Sequence, residues 1–109
     1  MITKPTTHIE RIVEQVRVAT DYQLNKRILR ERILTELHLP YNNGMFKVTT
    51  DLLAFLATWP DDALYLEDVY QNPIEVKREE LLDLARQHYQ SVLNTWHQQH
   101  EELKKIRKV

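Results

Sequence analysis

Three side chains near the C-terminus have the types and the spacing that can hold a divalent metal ion. His97, His100 and Glu101 stand at positions i, i+3 and i+4, and on a helix such positions are neighbours on one surface. A zinc site draws three or four ligands from the protein, and no other residue is marked by its spacing as a further ligand. We therefore interpret the three as a solvated helix face and expect no metal and no cofactor.

Four carboxylates in the middle of the chain are a second candidate for chemistry. The group consists of Asp61, Asp62, Glu67 and Asp68. General acid–base catalysis needs two carboxyl groups held in different environments within a cleft. These four fall in a linker and on the outer face of a predicted hairpin, so we interpret them as a solvated acidic surface that is suited to docking a basic partner.

Nucleophilic catalysis finds little support in the residue types. The chain has no cysteine, which excludes thiolate chemistry, disulfides and cysteine zinc sites. Ser91 is the only serine and has no base placed beside it. No phosphate loop, glycine-rich fingerprint or His-Glu-x-x-His sequence is present. We expect the protein not to be an enzyme.

Basic residues offer an alternative function in nucleic-acid binding. They lie in the second half of a predicted N-terminal helix and near the C-terminus, at Lys26, Arg27, Arg30, Lys104, Lys105 and Arg107. Each can contact phosphates, and basic residues near the end of a helix also complement its dipole. Glutamates are interleaved with them, and the formal net charge of the chain is −1. A nucleic-acid-associated regulator is therefore the alternative reading and not the favoured one.

A heptad pattern in the last third of the chain organises the fold. Its positions follow at spacings of three and four, at Leu82, Ala85, Tyr89, Val92, Trp96, Gln99, Leu103 and Ile106. The average period of 3.5 keeps one narrow stripe facing a partner helix. Gln99 breaks the apolar pattern, either as a buried polar residue that fixes register or as an exposed residue beyond the core. The pattern predicts a long helix over residues 78–108.

A second long helix is predicted over residues 7–39. Thr7 and Glu10 fit a capping box at its start, and Pro40 stops it because a proline pushes the preceding residue out of the helical region. Apolar residues form one stripe from Ile9 to Ala19 and a rotated face beyond Leu24. The polar run around Asp21 separates them. Either the helix is continuous and touches different neighbours at its two ends, or it breaks near Asp21.

The middle of the chain predicts a turn, a short helix and a β-hairpin. The turn and short helix span residues 40–60, with the only glycine, Gly44, in an Asn-Gly pair that tolerates positive φ values. Thr49 or Thr50 caps the short helix. The hairpin spans residues 64–76, and residues 45–48 are a candidate third strand for it.

Together these patterns predict a single, mainly α domain. We expect the two long helices to pack antiparallel in a coiled-coil-like arrangement, with the short helix and the hairpin between them. So short a middle segment cannot cover both apolar stripes, and exposed Leu or Ile side chains lose about 1.5–3 kcal/mol each. We therefore expect a homodimer or another protein as partner. The predicted interface residues are Tyr89, Val92, Trp96, Gln99, Leu103, Ile106, Leu24 and Ile28.

One stretch resembles a known class of proteins. Residues 44–56 (Gly-Met-Phe-Lys-Val-Thr, then Leu-Leu-Ala-Phe-Leu after Asp51), residues 65–74 and the helix from Tyr89 to Trp96 look like small accessory or virion proteins of tailed bacteriophages. The resemblance covers residues 44–100 in style and carries no functional residue. It implies a small helical protein that acts in virion assembly by binding other phage proteins.

The compartment is predicted from what the sequence lacks. The first residues have no apolar core of a signal peptide, and no apolar run approaches membrane-spanning length. We expect a cytoplasmic protein that does not contact membranes, in the host cytoplasm or the virion if it derives from a phage.

Overall fold

Apolar residues at three- and four-residue spacing build the helices of the protein. A computed structural model describes residues 8–107, with the side chain of Arg107 outside the description. Helix α1 spans His8–Glu36, α2 spans Thr50–Thr58 and α3 spans Arg78–Arg107. The mainly helical class is confirmed, and α1 is continuous through Asp21. The predicted cap at Thr7 and the predicted helix end at Lys108 lie outside the described residues.

The predicted C-terminal end of the first helix is wrong. Helix α1 ends at Glu36, and the chain enters strand β1 at His38–Tyr41. Pro40 favours extended backbone at the residue before it, and Leu39 pairs with Phe46 of strand β2, Gly44–Lys47. Residues 45–47 therefore pair with β1 and do not form a third strand of the later hairpin.

A two-residue turn joins β1 and β2. Asn42 and Asn43 have φ values of 46° and 66°, and positive values at both central residues define the type I′ turn that suits the twist of a hairpin. The positive φ values fall on the two asparagines and not on Gly44. Asparagine tolerates this conformation better than most residues.

Gly44 is needed for a close approach between the two hairpins. A Cβ atom at this position would lie 2.6 Å from Cγ1 of Ile74. Ile74 belongs to the second hairpin, in which β3 (Ala63–Glu67) pairs antiparallel with β4 (Pro73–Lys77). The two hairpins are separate two-stranded sheets, and the Ile74 side chain of one packs against the Gly44 backbone of the other.

The first cluster of buried residues joins both hairpins to α2 and the start of α3. We call residues 38–85 the body of the protein. Helix α2 begins behind Thr49, whose side chain accepts a hydrogen bond from the Leu52 amide at 3.1 Å, as an N-cap residue does. The cluster consists of Phe46, Leu56, Leu64, Ile74, Val76, Leu81 and Leu82.

The second cluster joins α1 to α3. Leu29, Ile33 and Leu37 pack with Val92, and Leu34, Tyr89, Trp96 and Leu103 surround them. The contacts run in opposite chain directions, since His88 meets the Glu36 carbonyl at 2.6 Å and Arg32 donates to Gln99 at 2.6 Å. The molecule is elongated, 68 Å by 23 Å by 23 Å, with a radius of gyration of 21.1 Å. A compact domain of this length has a radius of about 13 Å.

Candidate interaction surface

The N-terminal half of α1 exposes the largest apolar stripe of the described chain. We call residues 8–20 the arm. Ile9, Ile12, Val13 and Val16 lie at i, i+3, i+4 and i+7, and their exposed fractions range from 44% at Ile12 to 73% at Ile9. The buried residues of α1 are Tyr22, Leu29 and Ile33, so the arm itself contributes none. A helix with such a stripe normally packs it against another element.

The C-terminal part of α3 lies beside part of the arm. Leu103 and Ile106 line an open groove together with Val18 and Tyr22, and α3 ends at Arg107. Glu14, Gln15 and Arg17 of the arm line the same groove, so residues 8–13 extend beyond it by about 9 Å, at 1.5 Å per residue.

The apolar stripe of the arm lies on a different side of α1 from α3. Leu29 packs in the cluster that contains Val92 of α3. Val16 precedes Leu29 by thirteen positions, which places the two about 140° apart around a helix of 3.6 residues per turn. A longer α3 that continued along the same side of α1 would therefore leave the stripe uncovered.

Charged residues of the arm pair with one another along the helix. Arg17 contacts both Glu14 and Asp21, at i−3 and i+4. The hydrogen bond from Arg17 lowers the pKa of Glu14 below its ordinary value. Such exposed pairs add little stability, but each of these charges already faces an opposite one.

Most of the predicted interface residues contact α1 of the same chain. Val92 is buried, and Tyr89, Trp96 and Leu103 are partly buried against the α1–α3 cluster. Gln99 is half-buried and accepts the hydrogen bond from Arg32, so it lies between the two alternatives of a buried residue that fixes register and an exposed residue beyond the core. Most residues of the heptad stripe thus pack against other parts of the same chain.

The remaining three predicted interface residues are exposed. Leu24 and Ile28 on α1 are 45% and 51% exposed, and Ile106 near the end of α3 is exposed as well. Leu24 and Ile28 continue from the arm toward the α1–α3 cluster. They are the part of the predicted interface that is available to a second chain.

The basic residues are brought together only in part. Lys26, Arg27 and Arg30 are exposed on one stretch of α1 and form no ion pair with any residue between His8 and Arg107. Lys104 donates to Glu101 at 3.1 Å, which offsets its charge. Lys105 is exposed, and the side chain of Arg107 lies outside the described part of the chain.

The interpretation of the acidic group as a solvated surface is wrong for Asp68. This side chain is 5% exposed and accepts hydrogen bonds from the backbone amides of Tyr70 and Asn72 in its own turn and of Met45 in the other hairpin, at 2.9–3.1 Å. The amide of Asn72 is the main reason that the pKa of Asp68 falls below its ordinary value. Asp68 therefore holds the two hairpins together.

Asp62 also has a structural partner. Its side chain accepts a hydrogen bond from the Glu79 amide at 3.2 Å, and its carbonyl accepts one from the Arg78 amide at 2.7 Å. It thus satisfies amides in the first turn of α3, which have no partner within the helix. Asp61 and Glu67 are exposed.

The candidate metal ligands form no cluster. Glu101 pairs with Lys104, and residues 8–107 contain no group of three or more His, Asp or Glu side chains arranged to hold a metal ion. The helices within that range also include none that is long and apolar enough to cross a membrane.

Sequence reasoning recognised the arm stripe but did not place it in the interface. Ile9, Ile12, Val13 and Val16 show the same periodicity as the buried half of α1, so the pattern alone predicts two equivalent packed stripes. The signal that separates the two is the position of the stripe around α1, because Val16 lies about 140° from Leu29, which packs in the cluster with α3.

No protein-family model, curated protein or solved structure matches this chain.

Proposed function

We propose that the protein is a non-enzymatic interaction protein that binds another protein chain through the exposed face of α1. The exposed stripe of Ile9, Ile12, Val13 and Val16 carries the proposal. Each of these side chains, when buried, contributes about 1.5–3 kcal/mol. An extended arm that keeps four of them in water is suited to completing its packing with a partner.

The rest of the molecule is organised to present this arm. The α1–α3 contact, which we interpret as a short coiled-coil-like pair, holds α1 from Leu29 to Leu37. The body in turn anchors α3 through Leu81 and Leu82. On the resemblance of residues 44–100, we place the protein among small phage accessory or virion proteins, which act by assembly.

A photo-crosslinking amino acid tests the proposed surface in cells of the source organism. Placed at Val16, it is expected to form covalent adducts with a protein, whether a second copy or a foreign chain. Tyr65 is the matched control, because it is 71% exposed and lies on β3 of the body. Adducts at neither position, or equally at both, would contradict the proposal.

A nucleic-acid-associated role is the second candidate. It is favoured by Lys26, Arg27 and Arg30, which are exposed and unpaired among the described residues. Binding of a DNA or RNA duplex should then weaken steeply with added salt. Reversing the charge of Arg27 and Arg30 should abolish it, and the same change at Arg86 on α3, also exposed, should not. Binding that ignores salt would exclude this role.

A further inference from the structure

Five exposed residues form an unbroken i, i+4 row along the back of α1. We call this row the ridge, and it consists of Ile12, Val16, Thr20, Leu24 and Ile28. It continues from the arm into the part of α1 that packs on α3. Rows of this kind are the ridges that interdigitate when two helices pack.

The ridge is symmetric about Thr20. Thr20 lies nine positions before Leu29, which places it about 180° around the helix from the residue that packs toward α3. Val16 and Leu24 lie about 140° from Leu29, on opposite sides, and Ile12 and Ile28 lie about 100° from it. The order of side chains, Ile-Val-Thr-Leu-Ile, is close to a palindrome.

We propose that the partner of α1 is a second copy of this chain, and that the two α1 helices cross ridge on ridge at a two-fold axis beside Thr20. This inference rests on the proposed function and names its partner. A two-fold interface uses the same patch on both subunits, and the ridge offers apolar side chains on both sides of Thr20 for such a patch. The crossing angle expected for two i±4 ridges is about −50°.

Thr20 can be buried at the crossing point. Its hydroxyl donates to the Val16 carbonyl of its own helix at 2.8 Å. The donor is therefore satisfied before association, so burial leaves no unmet hydrogen bond. The methyl group of Thr20 remains available for contact.

Charges beside the ridge do not oppose self-association. The row on one side is uncharged nearest to Thr20, at Gln15, Ala19 and Gln23, and carries Arg11 and Arg27 at its two ends. On the other side, Arg17 is paired with Glu14 and Asp21 within the helix. Like charges that meet across an interface cost several kcal/mol, and the charges nearest to the crossing at Thr20 are of both signs.

The exposed apolar area is close to what a stable dimer needs. Ile9, Ile12, Val13, Val16, Leu24 and Ile28 are each 44–73% exposed. At roughly 100 Å² each they present on the order of 600 Å² per chain, against about 800 Å² per partner in a standard interface. The crossing point at Thr20 lies on the side of α1 opposite Leu29, whereas Ile28 at one end of the ridge lines an open groove beside Gln99 and Ile106 of α3.

The absolute mass of the full chain in solution gives the first test. Light scattering after size exclusion should give twice 13.1 kDa at micromolar concentration. Leu24→Lys should yield a folded monomer, and Ile106→Lys should leave the dimer intact, because Ile106 is also exposed, at 67% against 45% for Leu24, but lies on α3. A wild-type monomer at every concentration would overturn the second copy as partner.

A single introduced cysteine tests the geometry, because the chain has none of its own. Thr20→Cys should form a disulfide with its own copy under mild oxidation, since a bridge needs Cα atoms about 4.4–6.8 Å apart. Ile28→Cys should not, because the two-fold axis carries the second Ile28 to the far side of the crossing. A dimer that links at neither position, or equally at both, would overturn the crossing at Thr20.

The two proposals fail separately. Foreign adducts at Val16 with a monomeric wild-type chain would retain the interaction surface and reject the second copy. A dimer that Leu24→Lys leaves intact would reject the ridge as its interface.

Discussion

The body and the arm both have regularly spaced apolar residues, but the body buries them and the arm leaves them exposed. In the body, seven apolar residues are buried in one cluster. Polar side chains where its elements meet are hydrogen-bonded, as Asp68 and Asp62 are to backbone amides. The arm has an equally regular apolar pattern and buries none of it. Periodicity alone therefore indicates that one face of a helix is suited to packing against another element. The length and position of neighbouring elements decide whether the chain itself supplies the packing.

The largest loss in the free energy of unfolding is expected when a core side chain is removed from the body. Leu81 is fully buried, and Leu81→Ala should lower the free energy of unfolding by about 2–5 kcal/mol because it leaves a cavity. Leu84→Ala is the control on the same helix, since Leu84 is 42% exposed. Urea denaturation measures both, and equal losses would contradict the division into core and surface.

A smaller effect is expected at the contact between the hairpins. Gly44→Ala places a methyl group against Ile74 and should cost about 1–3 kcal/mol, as overpacking of a core does. A double-mutant cycle measures the coupling. Ile74→Ala should cost less in the Gly44→Ala background than in the wild type, and additive losses would argue against the clash.

The carboxylate of Asp68 should make part of the stability depend on pH. Its pKa in the folded protein lies below its ordinary value of 3.8, so the unfolded state binds the proton more readily. The stability it contributes is full above the ordinary pKa and is lost as the pH falls through the folded pKa.

Asp68→Asn keeps an oxygen for Tyr70 and Asn72 but turns an amide donor toward the Met45 amide. It should lower the free energy of unfolding at neutral pH, and the gap from wild type should narrow as the pH falls below 3.8. Thermal unfolding over a pH series measures this. Glu67→Gln at the exposed neighbour should leave the pH profile unchanged.

The smallest effect is expected in the arm. Ile12→Ala should change the free energy of unfolding of the isolated chain by less than about 0.5 kcal/mol, as a surface substitution does. Ile33→Ala, at a fully buried position of the same helix, should cost about 2–5 kcal/mol. Measurements on dilute protein separate folding from association. A large loss for Ile12→Ala under those conditions would mean that the arm packs within its own chain.

The helices were predictable because their signals are local. The seam from Leu82 to Leu103 faces α1 or the body, as its period requires, and α3 begins at the predicted residue Arg78. The helical signal of α1 ran on to Leu39, where propensity and periodicity still favour a helix. Pairing of Leu39 with Phe46 overrides them.

The contacts between the two hairpins of the body could not be predicted from the local sequence pattern. The closeness of Gly44 to Ile74 and of Asp68 to Met45 depends on how two hairpins meet. A buried aspartate in a turn has the same sequence signature as an exposed one. The site was missed for a related reason, since the exposure of Ile9 and Val16 depends on which side of α1 the helix α3 covers.

The order of the segments along the chain has a consequence for synthesis. The body is formed by contiguous residues, whereas the α1–α3 cluster joins Leu37 and earlier residues to Val92 and later ones. At 5–20 residues per second, α1 leaves the ribosome on the order of seconds before the segment that covers its buried face. During that interval both apolar faces of α1 are available to chaperones, or to another nascent chain on the same message.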